Sequence, residues 1–339
     1  MHVAFVYNVK KSAPSVELSE QEDLEFDSPS VINGIKESLE ALGNEVTSVE
    51  ADENAFLNLQ KLKGKVDIVF NIAEGLKGDA RESQIPLFCE ILQIPYTHSG
   101  PTTHAITLDK EFTKLLLKGA GTVKVPVSQV VQSKDYKFDE SLNFPLIVKP
   151  NKEGSSKGVM DKNVVNKRED LDKIVEEISE KFTKEVIIEE YIDGREFTVA
   201  VIGNENKRIL PIIEQKFDFL PAGMNKIASF ELKWLYEDSL KDLKDAYDCP
   251  AKVTPELEEE IRKTSIEICN ILDIKDCARI DYRLNSKGDL YFIEINSLPG
   301  INPDENTISY FPLAARTEGM SFKDMVGEIL SLAVKRYKL

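Results

Sequence analysis

The sequence contains no run of 18 or more apolar residues, which leaves nothing long enough to cross a hydrocarbon core as a helix. It also lacks a charged leader followed by an apolar signal core: Met1 to Tyr7 goes straight into a strand-like stretch, which argues against secretion. Cysteine is scarce. Cys89, Cys249, Cys269 and Cys277 are far apart, form no C-x-x-C pair and sit mostly in apolar patterns, so we read them as reduced thiols of a cytoplasmic protein. His2, His98 and His104 stand at no metal-ligand spacing from them, which argues against a structural zinc site. Basic charge is in deficit as well: 43 Lys and Arg against 59 Asp and Glu leave a formal charge of -16, the wrong sign for holding a nucleic-acid backbone. Internal repeats and low-complexity segments are absent.

What is present is globular. At 339 residues the chain can bury a large core, and at about 100–200 residues per domain it accommodates two or three domains. The first segment alternates strand and helix: strand His2 to Tyr7, helix Ser30 to Leu42 stopping at Gly43, strands Glu45 to Val49 and Val66 to Ile72, and helix Glu82 to Leu92. That order predicts a parallel α/β layer. Between the first strand and helix, the acidic stretch Glu17 to Asp27 reads as a solvated loop in preference to a lid.

A helix over Leu108 to Leu117 and strands over Val127 to Val131 and Pro145 to Lys149 open a second, α+β unit. From Val186 the pattern turns β-rich: Val186 to Tyr191, Glu196 to Ile202 and Ile209 to Ile213 read as three successive antiparallel strands. An irregular segment, Phe217 to Cys249, is followed by an amphipathic helix Pro255 to Leu272 capped by Thr254, then by strands Ala278 to Leu284 and Asp289 to Ile295 around a turn at Asn285 to Gly288.

Chemistry concentrates in that last hairpin. Side chains two apart on a strand share a face, so Arg279 and Asp281 point one way, as do Glu294 and Asn296. Pairing the strands collects two carboxylates, an amide oxygen and a guanidinium, an all-oxygen magnesium site beside a fixed cation. Upstream, Leu146 to Pro150 delivers Lys149 into the small-residue loop Glu153-Gly154-Ser155-Ser156-Lys157-Gly158. Its exposed N–H groups suit phosphate oxygens, although a simple Gly/Ser-rich turn is an equal reading, and it is not a Walker loop. A third stretch, Val186 to Phe197, ends a buried strand in acids able to hold an adenine amino group and ribose hydroxyls.

Taken in order, K-P-x-x-E-G-S-S-x-G, E-E-Y-x-x-G-x-E-F, A-R-I-D and E-I-N-x-x-P-G resemble the D-alanine–D-alanine ligase family of the ATP-grasp superfamily. Pro95-Tyr96-Thr97, Leu108-Asp109-Lys110 and Pro312 to Arg316 extend the likeness over almost the whole chain. The resemblance implies an ATP-grasp fold, mixed α/β and α+β. Its parts are a Rossmann-like N-terminal domain over 1–105, a small central domain over 106–189 and an antiparallel-sheet C-terminal domain over 190–339 that carries the metal site. It further implies that Lys110 and Lys149 hold ATP phosphates under Ser155 and Ser156, and that Glu189, Glu190, Tyr191 and Ile192 line the adenine pocket. In the same way Glu196 matches the ribose acid, Asp281, Glu294 and Asn296 the ligands of two magnesium ions (manganese being an alternative), and Arg279, Lys233 and Ser155 the catalytic set. A homodimer is the family expectation.

The departures are at the substrate end. Tyr7 to Ser12 stands where family ligases carry G-G-x-S-x-E, Asn71 to Glu82 replaces H-G-x-x-G-E-D-G, and the stretch after Gly300, through Thr307, is about four residues longer than usual and lacks the Ser-Leu clamp. Glu74, Arg81, Arg279 and Gly300 are the substrate candidates, with an ordinary loop or cap role weighed against the first two, and Trp234 reads as packing or lid. The expected activity is ATP-dependent joining of a small carboxylic acid to an amine, amino acids foremost, through an acyl phosphate. The alternatives are a biosynthetic ligase for a non-alanine pair and an inactive nucleotide-binding regulator.

Overall fold

The computed structural model describes residues 1–12, 23–132, 135–182, 185–237 and 240–339. Its elements run β1 (His2–Tyr7), α1 (Pro29–Ala41), β2 (Glu45–Glu50), α2 (Ala55–Leu62), β3 (Ile68–Asn71), α3 (Gln84–Leu92), α4 (Pro101–Leu108), α5 (Lys110–Ala120), β4 (Ser128–Val131), β5 (Leu146–Pro150), β6 (Val164–Val165), α6 (Arg168–Lys181) and β7 (Val186–Glu190). The remainder is β8 (Gly194–Ile202), β9 (Arg208–Ile209), β10 (Ile213–Gln215), β11 (Tyr247–Asp248), α7 (Pro255–Ile271), β12 (Cys277–Asn285), β13 (Leu290–Asn296), α8 (Tyr310–Thr317) and α9 (Phe322–Tyr337). Among the described residues no helix is long and apolar enough to cross a membrane.

Three sheets organise these elements. The first, β2-β1-β3, is parallel, as the alternating pattern predicts. Val3 to Val6 of its central strand are all apolar because both faces are covered, Val3 and Phe5 by one cluster and Ala4 and Val6 by another. The second, β4-β7-β5-β6, is antiparallel and packs α6 through Leu171, Ile174, Val175 and Ile178. The third follows the path β11-β10-β8-β12-β13, with β9 paired to β8.

The predicted run of three paired strands from Val186 is corrected here. β7 pairs with β4 and β5, while β8 pairs with β10, β12 and β9, so the chain passes from one sheet to another between Glu190 and Gly194. Gly194 makes the passage: its φ is +147° and a Cβ there would lie 2.0 Å from the Leu284 carbonyl oxygen, a conformation and a clearance reserved for glycine. The predicted strand Ile209 to Ile213 is likewise two short strands, β9 and β10, broken around Pro211.

Caps fix the helix starts. Asp109 accepts from the Phe112 N–H at 3.0 Å, so α5 begins at Lys110, two residues past the predicted Leu108, which instead closes α4. Thr254 caps α7 as predicted, and Ser321 with Asp324 forms a capping box at α9. α9 returns to the N-terminal layer, where Met325, Val326, Ile329, Leu330 and Ala333 share one core with Val31, Ile32, Ile35 and Leu39 of α1.

Residues 17–22 of the acidic stretch lie outside the described residues. The described part, 23–27, is not a solvated loop. Asp27 forms a bridge to Val9, burial pushes its carboxyl up to about 7 despite nearby Lys10, and the Glu25 side chain is only 10% exposed.

Candidate active site

The hairpin forms as its alternation predicts. β12 and β13 pair with Arg279 opposite Asn296 and Asp281 opposite Glu294, and a bulge follows Asp281. Asp281 and Glu294 therefore stand on one face of adjacent strands, and both line a cleft between the second and third sheets. Arg279 donates to Asp281 Oδ2 from Nη2 at 3.0 Å, and the other oxygen, Oδ1, accepts from Thr198 on β8 at 2.8 Å. Both carboxylate oxygens of Asp281 are thereby oriented before any ligand arrives.

Opposite this wall, α5 and β5 supply cations. Lys110 donates to the Glu153 carbonyl and its Nζ lies 3.7 Å from Glu294 Oε2. Burial, the largest influence on Glu294, favours its protonated form, but Lys110, Lys149, Arg279 and Lys233 together prevail and hold its pKa down to about 2. Glu294 is thus a buried carboxylate kept ionised by four cations. Lys149 lies 2.7 Å from Glu189 Oε2, and burial lowers its pKa to about 8, an effect that Glu294 opposes and Lys110 reinforces.

Glu189, at the cleft's inner end, is 1% exposed and also pairs with Lys114 of α5, whose own pKa burial pushes far down. Glu190, Tyr191 and Ile192 line the same end. Glu190 accepts from the Asn143 side chain at 2.9 Å, and the Tyr191 hydroxyl donates to the Lys226 carbonyl at 3.2 Å. Glu196 accepts from Arg283 at 2.7 Å, and burial raises its pKa against the pull of that guanidinium.

Two segments close over the cleft and meet each other. Ser156 in loop 153–158 donates to the Ala228 carbonyl at 2.6 Å, and the Phe230 N–H donates to the Val159 carbonyl at 2.8 Å. Lys233 follows in a short wide helical turn, Leu232–Tyr236, and lines the cleft. Gly154 and Ser156 also line it, whereas Ser155 is exposed at the loop's crest with φ +49°. Asn296 is not among the lining residues, and its amide oxygen accepts from the Leu298 N–H at 2.9 Å.

The substrate candidates fall in two places. Glu74 and Arg81 stand on the N-terminal side, where burial and the neighbouring Glu82 and Glu25 push the Glu74 carboxyl well up. Arg81 binds Glu25 at 2.6 Å, the Lys152 carbonyl at 2.8 Å and Glu153 at 3.4 Å. Gly300 instead lines a second cleft, which shares Arg279, Lys233 and Tyr310 with the first.

Sequence reasoning passed over Lys114, Thr198, Arg283 and Tyr310, which also build this site. Three of them carried a periodic signal. Lys114 is one helical turn beyond Lys110, Thr198 is two residues past Glu196 on one strand, and Arg283 is two past Asp281. Tyr310 carried none, since it arrives from α8 and its hydroxyl bonds to the Gln215 side chain.

Among the described residues, no three or more His, Cys, Asp or Glu side chains gather as a metal cluster. Asp281 and Glu294 would offer a magnesium ion two carboxylates, with the Asn296 amide two residues along β13, and would leave its other positions to water and substrate. That all-oxygen, water-retaining set is the one magnesium accepts. The ionised state of Glu294 fits such an ion.

The family model for the D-ala D-ala ligase C-terminus matches residues 119–331. An uncharacterised protein of Sinorhizobium fredii is 31% identical over 91% of this chain and 88% of its own length. The D-alanine–D-alanine ligase of Aquifex aeolicus is 30% identical over 88% of this chain and 92% of its own. A crystal structure of the Bacillus anthracis D-alanine–D-alanine ligase complexed with ATP superposes with a TM-score of 0.75 at 22% identity, covering 100% of this chain and 99% of that one. The fold, the ordered motifs and relatives matched over most of their length place the chain in the D-alanine–D-alanine ligase family of ATP-grasp carbon–nitrogen ligases.

Proposed function

We propose that the protein is an ADP-forming carboxylate–amine ligase that works through an acyl phosphate. The observation that carries this reading is the pairing of Asp281 with Glu294 across β12 and β13, with Arg279, Lys110, Lys149 and Lys233 all close enough to keep Glu294 ionised. Four cations around two acids suit a polyphosphate with its counter-ions; an exposed polar hairpin would need neither the burial nor the set.

In this reading the adenine lies at the Glu189–Ile192 end and the ribose hydroxyls meet Glu196. Lys110 and Lys149 hold the phosphates from below while Gly154 and Ser156 cover them. Asp281, Glu294 and Asn296 hold magnesium, which neutralises phosphate charge when bound. A carboxylate oxygen of the acid attacks the γ-phosphorus, the bond to ADP breaks, and Lys233 stabilises the transferred group. A neutral amine nitrogen then attacks the acyl carbon. Arg279, fixed by Asp281, faces the oxyanion that forms; the carbon–oxygen bond to phosphate breaks, and the amine's spare proton leaves. The meeting of loop 153–158 with residues 226–231 keeps water from the acyl phosphate.

Purified protein incubated with ATP, magnesium and a panel of D- and L-amino acids should release phosphate in step with ADP and form an amide detectable by mass. ATP binding with no release for any pair would favour an inactive nucleotide-binding protein instead.

A further inference from the structure

Glu196, at the ribose end of the first cleft in the reading above, is held from behind by a residue that the reading does not use. Glu196 on β8 and Arg283 on β12 are direct cross-strand neighbours, and Arg283 Nη1 donates to Glu196 Oε2 at 2.7 Å. Among the described residues nothing donates to the other oxygen, Oε1, and Glu196 lines the cleft. One carboxylate oxygen is thus fixed by the protein while its twin is left for a ligand. Burial favours the neutral acid here and Arg283 opposes it, so the guanidinium also favours the charged, stronger acceptor.

Arg283 is itself fixed. It is 5% exposed, its Nη1 also donates to the Lys226 carbonyl at 2.8 Å, and its Nη2 donates to the Gly194 carbonyl at 3.2 Å. Its guanidinium carbon lies 5.2 Å from the centre of the Tyr191 ring and 5.9 Å from that of Phe217, two aromatic faces that restrain the fork. The Lys226 carbonyl accepts from the Tyr191 hydroxyl as well, at 3.2 Å. That carbonyl therefore anchors the segment 226–231, which meets loop 153–158 over the cleft through Ser156 and Ala228. A single nitrogen, Nη1, serves both the acid and the cover.

Resting on the nucleotide placement in the ligase reading above, we propose that Arg283 is a positioning residue for the nucleotide. It sets Glu196 against the ribose hydroxyls and, through the Lys226 carbonyl, ties that end of the cleft to the segment that covers it. It meets no reacting atom and acts through Glu196 and Lys226. The preference for ribose over a deoxyribose therefore depends on Arg283.

The test is a calorimetric titration of the full chain with ADP, 2′-deoxy-ADP and 3′-deoxy-ADP in the presence of magnesium, because ADP has no γ-phosphoryl group to transfer. The wild-type protein should bind at least one deoxy form about tenfold or more weakly than ADP, the scale of a hydrogen bond to a charged group. Arg283→Met should cut that ratio below about threefold, and in a Glu196→Gln background the same substitution should change it no further. Trp234, the only tryptophan, lies in the helical turn just beyond the covering segment, so acrylamide quenching of its fluorescence should rise in Arg283→Met. Should that variant not fold, Arg283→Lys, which keeps the charge without the fork, supplies the same readings: a ratio below the wild-type value and quenching above it. Indifference of the wild-type protein to both hydroxyls, a wild-type ratio in the folded variant, a further change in the Glu196→Gln background or unaltered quenching would each overturn the proposal. Phosphate release separates this from the ligase reading. The expected ratios without turnover for any amino-acid pair sink the ligase and keep the role of Arg283, whereas turnover with an unchanged ratio keeps the ligase and sinks that role.

Discussion

Arg81 and Glu25 meet at 2.6 Å with both side chains 10% exposed, and the same guanidinium reaches Glu153 in the loop that covers the first cleft. Glu25 also fills the space beside Gly154, where a Cβ would come within 2.2 Å of its carboxylate. The N-terminal layer thus grips loop 153–158 through one cation shared by two acids. Replacing Arg81 by Met leaves Glu25 and Glu153 buried and facing each other, and the loop should loosen. The expected outcome is a rise of about tenfold in KM for ATP with a smaller change in kcat, partly restored by Arg81→Lys. Equal effects on both constants would argue against a loop-positioning role.

Glu294→Gln keeps the shape and removes the charge that four cations surround. Phosphate release should fall by about 100-fold or more, the scale seen when a preorganised electrostatic partner is lost. The fold should survive, as read by circular dichroism. Retained activity would remove the main support for a metal site at this hairpin.

Thr198→Val takes away the hydroxyl that orients Asp281 without altering bulk much. We expect the magnesium concentration for half-maximal activity to rise about tenfold, within the range for partners that orient metal ligands. An unchanged magnesium dependence would mean that Asp281 needs no such support.

Lys149 carries the pH prediction. Its folded pKa of about 8 lies below the ordinary 10.5, so the charged form is held at neutral pH and is lost as pH rises through 8. For stability the sign is opposite to that of a stabilising pair: the unfolded chain binds more protons between these values, so this group's contribution to stability rises with pH there. For activity, kcat/KM for ATP should decline above pH 8 as the phosphate-binding charge disappears. Lys149→Arg stays charged, so if it remains active its alkaline limb should move upward. A limb that stays put would assign it to another group.

Glu189 is shared by two buried lysines, Lys114 and Lys149, which makes the members of this trio unequal. Glu189→Gln removes the carboxylate that two buried amines share and should cost about 3–5 kcal/mol, whereas Lys114→Met leaves Glu189 its other partner and should cost less. Chemical denaturation of the two variants gives the comparison directly. Equal losses would show that Lys149 does not compensate.

The sequence revealed most where period and neighbourhood coincide. The Asp281–Glu294 pairing was legible because alternation along two strands joined by a short turn leaves little freedom of register. The passage from β7 to β8 was not, since both are apolar strands with acids between them, and nothing in the pattern marks a change of sheet. Helices α6 and α9 have amphipathic spacing that the motifs do not point to; their burial depends on what they pack against, β5 and β7 for one and α1 for the other. Thr198 and Arg283 needed that three-dimensional frame before their periodic signal had meaning.

The apolar clusters join some layers of the molecule and leave one apart. One cluster runs without a break from β1 and α1 through α9 to Ala200 and Ile202 of β8, so the first and third layers are fused through a common interior. The four-stranded sheet has its own, built from residues between Val131 and Ile188. The cleft wall that carries Lys149, Glu189 and loop 153–158 is therefore joined to the rest by ion pairs such as Arg81–Glu153 and Lys114–Glu189 in place of a shared apolar interior, so salt and charge substitutions act on this seam where they would leave an oily one alone.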